Sequence, residues 1–348
     1  LSGNRIALTE KRPMSPFTAN VRATPTRDSM TIEGLDKAPY CAAADPRPHE
    51  PQLLLMPDFA CDCHAHVFGP AEQYPYSAER MYTPPDALPR QYRRMLDKLG
   101  VGRAVLVQPS AYGTDNSAML DALAADPERL RGVAVAADDI TDAELESMNA
   151  AGVRGLRCNV VEIREGKARL PFKKLRELAE RIEVFGWHLE FLMHVDEYPV
   201  LDRDLDGFPV DLVFAHMGFM RAERGVDNAG FRSLLSLVDH GRAWVKLSAP
   251  YRVTTSALPY PEVVTFARAL MDAAPDRILW GTDWPHVMLK GKMPNDGDLA
   301  DLLQQWVPNG ELRRRVLVAN PAKLYGFPEI LPSETDADPS APTEEPAE

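Results

Sequence analysis

Cysteine is scarce in this chain: four thiols, Cys41, Cys61, Cys63 and Cys158, serve 348 residues. So few cannot staple a chain of this length, which excludes a disulfide-built scaffold and leaves a fold that relies on its hydrophobic core. Long apolar runs are missing as well. No stretch approaches the roughly 18 consecutive apolar residues of a membrane-spanning helix. Positive charge is also short, with 39 Lys and Arg against 51 Asp and Glu, a formal net charge of -12. That balance argues against nucleic acid and against an anionic membrane as partners, because phosphate binding draws on clustered Lys and Arg. The first residues lack the charged-then-apolar pattern of a secretory signal, so reduced thiols in a cytoplasmic protein are expected.

What is present is a repeated alternation of short apolar runs with amphipathic stretches. Strands are expected at 59–63, 103–107, 130–135, 155–157, 189–193, 212–215, 243–247 and 278–280. Helical spacing of apolar residues falls between them, at 88–99, 116–126, 142–151, 172–185, 230–239 and 261–273, with 299–306 and 311–317 after the eighth strand. Only 195–211 is weakly helical. Strands alternating with helices predict parallel pairing, and eight of them over roughly 250 residues predict a (β/α)8 barrel. Residues 1–57, with eight prolines and one strong apolar patch at Leu53-Leu-Leu-Met56, are expected as an irregular extension around the barrel of 58–327. Residues 328–348 form the last segment. From 331 onward it carries six acids, four prolines and no basic residue, a composition expected to stay disordered.

The barrel expectation gives meaning to residues that are far apart. Strand ends of a parallel barrel gather on one face, and His64, His66, His194, His216 and Asp283 each stand at or just past a strand end. His64 and His66 are two apart, the spacing that puts side chains on one face of a strand. A divalent cation accepts imidazole nitrogen and carboxylate oxygen, so His64, His66, His194 and Asp283 form a candidate ligand set for one zinc ion. His216 is a candidate for polarising a carbonyl. Arg157 and Arg252 end the fourth strand and follow the seventh, where guanidinium forks can grip an anionic substrate. Ser110, Tyr112 and Thr114 offer hydroxyls after the second strand. Trp284 and His286 flank Asp283 and can orient it, with packing the expected role of Trp284; Cys61 and Cys63 read as packing residues.

Several motifs, in this order over about 58–327, carry a resemblance: His64-Ala-His66-Val-Phe-Gly, Val107-Gln-Pro-Ser-Ala-Tyr-Gly-Thr-Asp-Asn116, Arg154-Gly-Leu-Arg157, Ala215-His216-Met-Gly218 and Trp280-Gly-Thr-Asp-Trp-Pro-His286. Together they resemble the amidohydrolase superfamily in its pyrone-dicarboxylate lactonase branch. The resemblance implies a distorted (β/α)8 barrel, a small anionic lactone as substrate, and Tyr82, Ser110, Thr114, Arg157 and Arg164 as substrate contacts. Metal-independent lactonases of this branch align no histidine with His194, whereas metal-dependent relatives place a ligand there. The resemblance therefore implies a metal enzyme, with 4-sulfomuconolactone opened to maleylacetate and sulfite as its first expected reaction. Hydrolysis of 2-pyrone-4,6-dicarboxylate and zinc-dependent non-oxidative decarboxylation stand as alternatives, as does a binding protein on the same scaffold. Asp283 is the expected proton shuttle. A homo-oligomer is compatible with all of these.

Overall fold

The computed structural model describes residues 38–161 and 170–328. The acidic segment from 331 and Arg164 lie outside them. Eight strands run in chain order: β1 (Cys61–Ala65), β2 (Arg103–Val107), β3 (Leu130–Ala134), β4 (Val153–Asn159), β5 (His188–Leu192), β6 (Leu212–Phe214), β7 (Ala243–Leu247) and β8 (Ile278–Trp280). Each pairs in parallel with the next, in the order β1 to β8. Parallel neighbours need crossovers, and helices Pro89–Leu99, Ser117–Ala125, Asp142–Ala150, Phe172–Glu183, Ala229–Asp239 and Val263–Ala273 supply them. Between β5 and β6 only the four-residue helix Leu201–Asp204 forms. β8 returns to β1 through a bridge between Ala65 and Trp284, with the His66 amide on the Trp284 carbonyl and the Asp283 amide on the His64 carbonyl, both at 2.8 Å. The expected distorted (β/α)8 barrel is what the chain forms.

Alternation along the strands divides the core in two. Leu106, Leu156, Leu189, Phe191 and Phe214 pack outward with helix residues such as Met95, Leu175, Phe231 and Leu270. Cys61, Cys63, Val105, Val107, Val133, Val213, Trp244 and Leu279 face the other way; Ala322, Leu324 and Tyr325 of the last helix, Asn320–Tyr325, and Phe327 just after it pack onto them. Burying each Leu or Phe contributes about 1.5–3 kcal/mol, so both layers are needed to hold the strand ends in place. All four cysteines are free thiols, and all but Cys41 are buried.

Helix ends follow local chemistry. Gly100 takes φ 76° to end the first helix, and Thr141 with Glu144 caps the third reciprocally. Helix Asp296–Trp306 starts three residues before the predicted 299, because Asn295 caps it while its first turn, Asp-Gly-Asp, carries no apolar signal. The predicted 311–317 divides into Gly310–Arg314 and a π-turn, Arg315–Ala319, that runs into Pro321. Proline cannot donate the usual helical hydrogen bond, and a wider turn absorbs that loss. The described part of the extension lies across helix Asp296–Trp306: amides of Gln52, Leu53 and Leu54 all donate to the Asp301 carboxylate at 2.8 Å.

Candidate active site

β1 delivers its two histidines through an irregularity. Asp62 pairs with Ala104 and Ala65 with Leu106, so three steps on β1 match two on β2. That extra residue is a bulge, and it breaks the strict alternation that would give Asp62 and His64 one face. Asp62 therefore turns to Tyr92 Oη at 2.8 Å and Thr282 Oγ1 at 2.6 Å, while the His64 ring enters the barrel. Gly281 lets β8 approach: a Cβ there would stand 2.8 Å from the His64 amide nitrogen. Asp283 follows with φ 64°, and His216 after β6 has φ 52°, left-handed conformations that non-glycine residues adopt at a cost of about 1–3 kcal/mol.

These pieces converge on one oxygen. Asp283 Oδ1 lies 3.7 Å from Nε2 of His64, His66 and His216 alike. Its other oxygen, Oδ2, accepts from Tyr251 Oη at 2.8 Å and Arg252 Nε at 2.9 Å. Each imidazole is held from behind: His66 Nδ1 donates to the Val107 carbonyl at 2.7 Å, His216 Nδ1 meets Ser248 Oγ at 2.9 Å, and His64 Nδ1 faces Glu190 Oε1 at 3.3 Å. Asp283 Oδ1 and His64 Nε2 are buried with no hydrogen-bond partner. Orphaned acceptors of this kind are costly unless something positive sits between them, and nitrogen and carboxylate donors supported from behind suit a divalent cation. Donor atoms of His64, His216 and Asp283 lie within 4.8 Å of one another, and this is the one such group of three among the described residues.

Electrostatics fit both uses of the site. Burial raises the Asp283 carboxyl, but Arg252 and the three facing imidazoles, His216, His64 and His66, together outweigh it and keep the group well below its ordinary value. Burial pushes His66 and His216 well below 6.5, so both are neutral near pH 7 and available as ligands or hydrogen-bonding groups.

The amidohydrolase family model matches residues 61–327. The chain belongs to the amidohydrolase family. A 2-pyrone-4,6-dicarboxylate hydrolase of Comamonas testosteroni is 40% identical over 81% of this chain and 95% of its own length. A 4-sulfomuconolactone hydrolase of Hydrogenophaga intermedia is 35% identical over 85% of this chain and 98% of its own. Among solved structures, a Pseudomonas putida protein assigned as a 2-pyrone-4,6-dicarboxylic acid hydrolase matches with a TM-score of 0.68 and 35% identity, covering 78% of this chain and 99% of that one.

Around the amidohydrolase centre the other expected residues divide. Arg157 is buried, gives Nη1 to the Gln108 carbonyl at 2.8 Å, and leaves Nε without a partner; it forms no ion pair among the described residues. Arg252 is committed to Asp283 and to the Val287 carbonyl. Tyr82 is buried beside the Ser110 hydroxyl and within the field of both arginines, which oppose the upward push of burial on its phenol. Tyr112 stands apart, with its hydroxyl accepting from the Gly69 amide and its ring near Phe68 and Tyr76. Thr114 is half-buried and lines a separate cavity of about 370 Å³ with Asn116, Val135 and Asp139. His194 is half-buried and outside the three-residue donor group: its Nδ1 donates to the Phe219 carbonyl at 2.9 Å, and its ring lies 4.5 Å from the Phe219 ring. Trp284 packs on Tyr92. His286 reaches Asp283 through the Tyr251 hydroxyl, which it meets at 2.8 Å. Sequence reasoning missed Glu190, Lys246, Ser248 and Tyr251. The available signal was a charge inside each of two apolar strands, Glu190 in β5 and Lys246 in β7.

Proposed function

We propose that this amidohydrolase opens a small lactone bearing anionic groups, with Asp283 as proton acceptor and one divalent cation, zinc, held by His64, His66, His216 and Asp283. The observation that carries the reading is the buried, partnerless Asp283 Oδ1 at 3.7 Å from three imidazole nitrogens. Arg157, buried and without an acidic partner, supports an anionic substituent on the substrate. The names of the two relatives support a lactone. When bound, the cation polarises the lactone carbonyl and lowers the pKa of water. Asp283, ionised at neutral pH, accepts the proton of the attacking water as its oxygen bonds to the carbonyl carbon. The ring C–O bond then breaks, and Asp283 returns the proton to the departing oxygen. His216 can present either a lone pair or an N–H at Nε2, because the Ser248 hydroxyl behind it both donates and accepts. Tyr82, Ser110 and Arg157 line the approach, and Arg252 acts through Asp283.

The 40% identity to the pyrone-dicarboxylate hydrolase favours 2-pyrone-4,6-dicarboxylate as substrate. The sulfonated lactone rested on His194 as a ligand; unlike His64, His66 and His216, His194 makes no nitrogen-to-oxygen contact with Asp283 within 4 Å among the described residues, and this substrate stands as the second reading on the relative that matches over 98% of its length. The test is to follow pyrone ultraviolet absorbance with purified protein and zinc, and sulfite release from 4-sulfomuconolactone in parallel. Loss of pyrone absorbance supports the first substrate, sulfite release the second. Intact lactones in both assays, or carbon dioxide as product, would contradict ring opening.

A further inference from the structure

Beneath the site, the barrel interior holds charges that the reaction does not use. Glu190 on β5 and Lys246 on β7 are both fully buried, with Lys246 Nζ 2.5 Å from Glu190 Oε2. Glu190 Oε1 has no other hydrogen-bond partner and faces His64 Nδ1 at 3.3 Å. Lys246 Nζ is 3.4 Å from the same nitrogen. Two proton arrangements are open to this ring. If Nε2 carried the proton, it would be a buried donor without an acceptor, since Asp283 Oδ1 is 3.7 Å away, and Glu190 Oε1 would be a buried carboxylate oxygen without a donor. If Nδ1 carries it, Glu190 Oε1 gains that donor and Nε2 presents a lone pair to Asp283.

We propose that the Glu190–Lys246 pair positions His64: Glu190 accepts the Nδ1 proton, Lys246 neutralises Glu190, and the unprotonated Nε2 of His64 faces the site. A role in stability alone accounts poorly for the pair, because burying two charges costs several kcal/mol per ion and an apolar pair of similar volume is often as stable. Lys246 has only protons to offer; alone beside Nδ1 it would favour the opposite tautomer. Its contact with Glu190 Oε2, at 2.5 Å, is much shorter than its 3.4 Å hydrogen-bonding approach to Nδ1, so the carboxylate is its stronger partner. His188 Nε2, 3.9 Å from Glu190 Oε2, and the Tyr325 ring, 5.8 Å from Lys246 Nζ, enclose the pair. The consequence for cation affinity rests on the cation reading above; the tautomer does not.

The test uses the full chain without added metal, with ¹⁵N-labelled histidine and His64 assigned by loss of its signal in His64→Gln. Wild type should show His64 protonated at Nδ1, and protonation at Nε2 would overturn the proposal without any variant. Two charge-balanced variants follow. Glu190→Gln with Lys246→Met keeps a neutral acceptor and should keep the tautomer. Glu190→Leu with Lys246→Met removes the acceptor, and should move the proton to Nε2 and weaken zinc binding about 10–100-fold, as loss of a group supporting a ligand does. An unchanged tautomer and zinc affinity in the Leu/Met variant would reduce the pair to a structural one. Wild type that binds no zinc but shows the Nδ1 proton would remove the cation reading and leave the positioning role standing.

Discussion

Arg157 reaches the site from β4 with one nitrogen satisfied by a backbone carbonyl and another buried without a partner. A hydrogen bond to a charged group is worth about 1.5–3 kcal/mol, so Arg157→Met is expected to raise KM about 10–150-fold with a smaller change in kcat. Steady-state kinetics on the pyrone check this, and an unchanged KM would show that the guanidinium does not meet substrate. Because its protein contact is a single carbonyl, Tm should change little. At this scale strand ends bring His64, His66, His216 and Asp283 to one rim, which the sequence shows. What aims them is local backbone that it does not show: a bulge turns His64 inward, and His216 and Asp283 take left-handed turns. His194 lies beyond the end of β5 and opens the 3₁₀ turn Val195–Glu197, so strand alternation no longer aims its ring. Tyr251 and Ser248 became visible only once the loop after β7 was placed against Asp283.

The elements were more legible than the residues. β2, β7 and β8 have the bounds read from the sequence, because apolar runs buried on both faces and bounded by turns mark parallel strands well. The bulge in β1 was not readable, since pairing with β2 and not periodicity creates it. Nor was the meeting of Glu190 and Lys246, 56 residues apart on strands that are not neighbours. The extension shows how one side chain can fasten a segment without regular structure: Asp301 takes three consecutive amides of residues 52–54. These amides are close to solvent, so water replaces much of what Asp301→Ala removes. The expected result is faster amide exchange at 52–54 with a global loss of about 1 kcal/mol or less. Exchange unchanged at these amides would contradict the fastening role.

For the whole molecule, the buried histidines make stability depend on pH. Burial lowers His64, His66, His188 and His216 below 6.5 in the folded state. As pH falls below 6.5 the unfolded chain binds protons that the folded chain refuses, so stability is lost on the acid side and present above it. Each such group contributes up to about 1.4 kcal/mol per pH unit in that window. Urea midpoints at pH 7.5 and 5.5 should differ clearly, and equal midpoints would contradict the neutral, buried imidazoles described above. The acidic composition, a net -12, is compatible with an anionic substrate because buried Arg157 acts at short range inside the barrel.

The central claim is that Asp283 carries the proton during ring opening. Its most direct test is the rate of lactone hydrolysis by Asp283→Asn, beside binding of the same lactone to that variant. Asparagine keeps the shape but cannot take the proton, so the account predicts a loss of about 100-fold or more in kcat with binding retained. Turnover at the wild-type rate by a folded Asp283→Asn protein would contradict it.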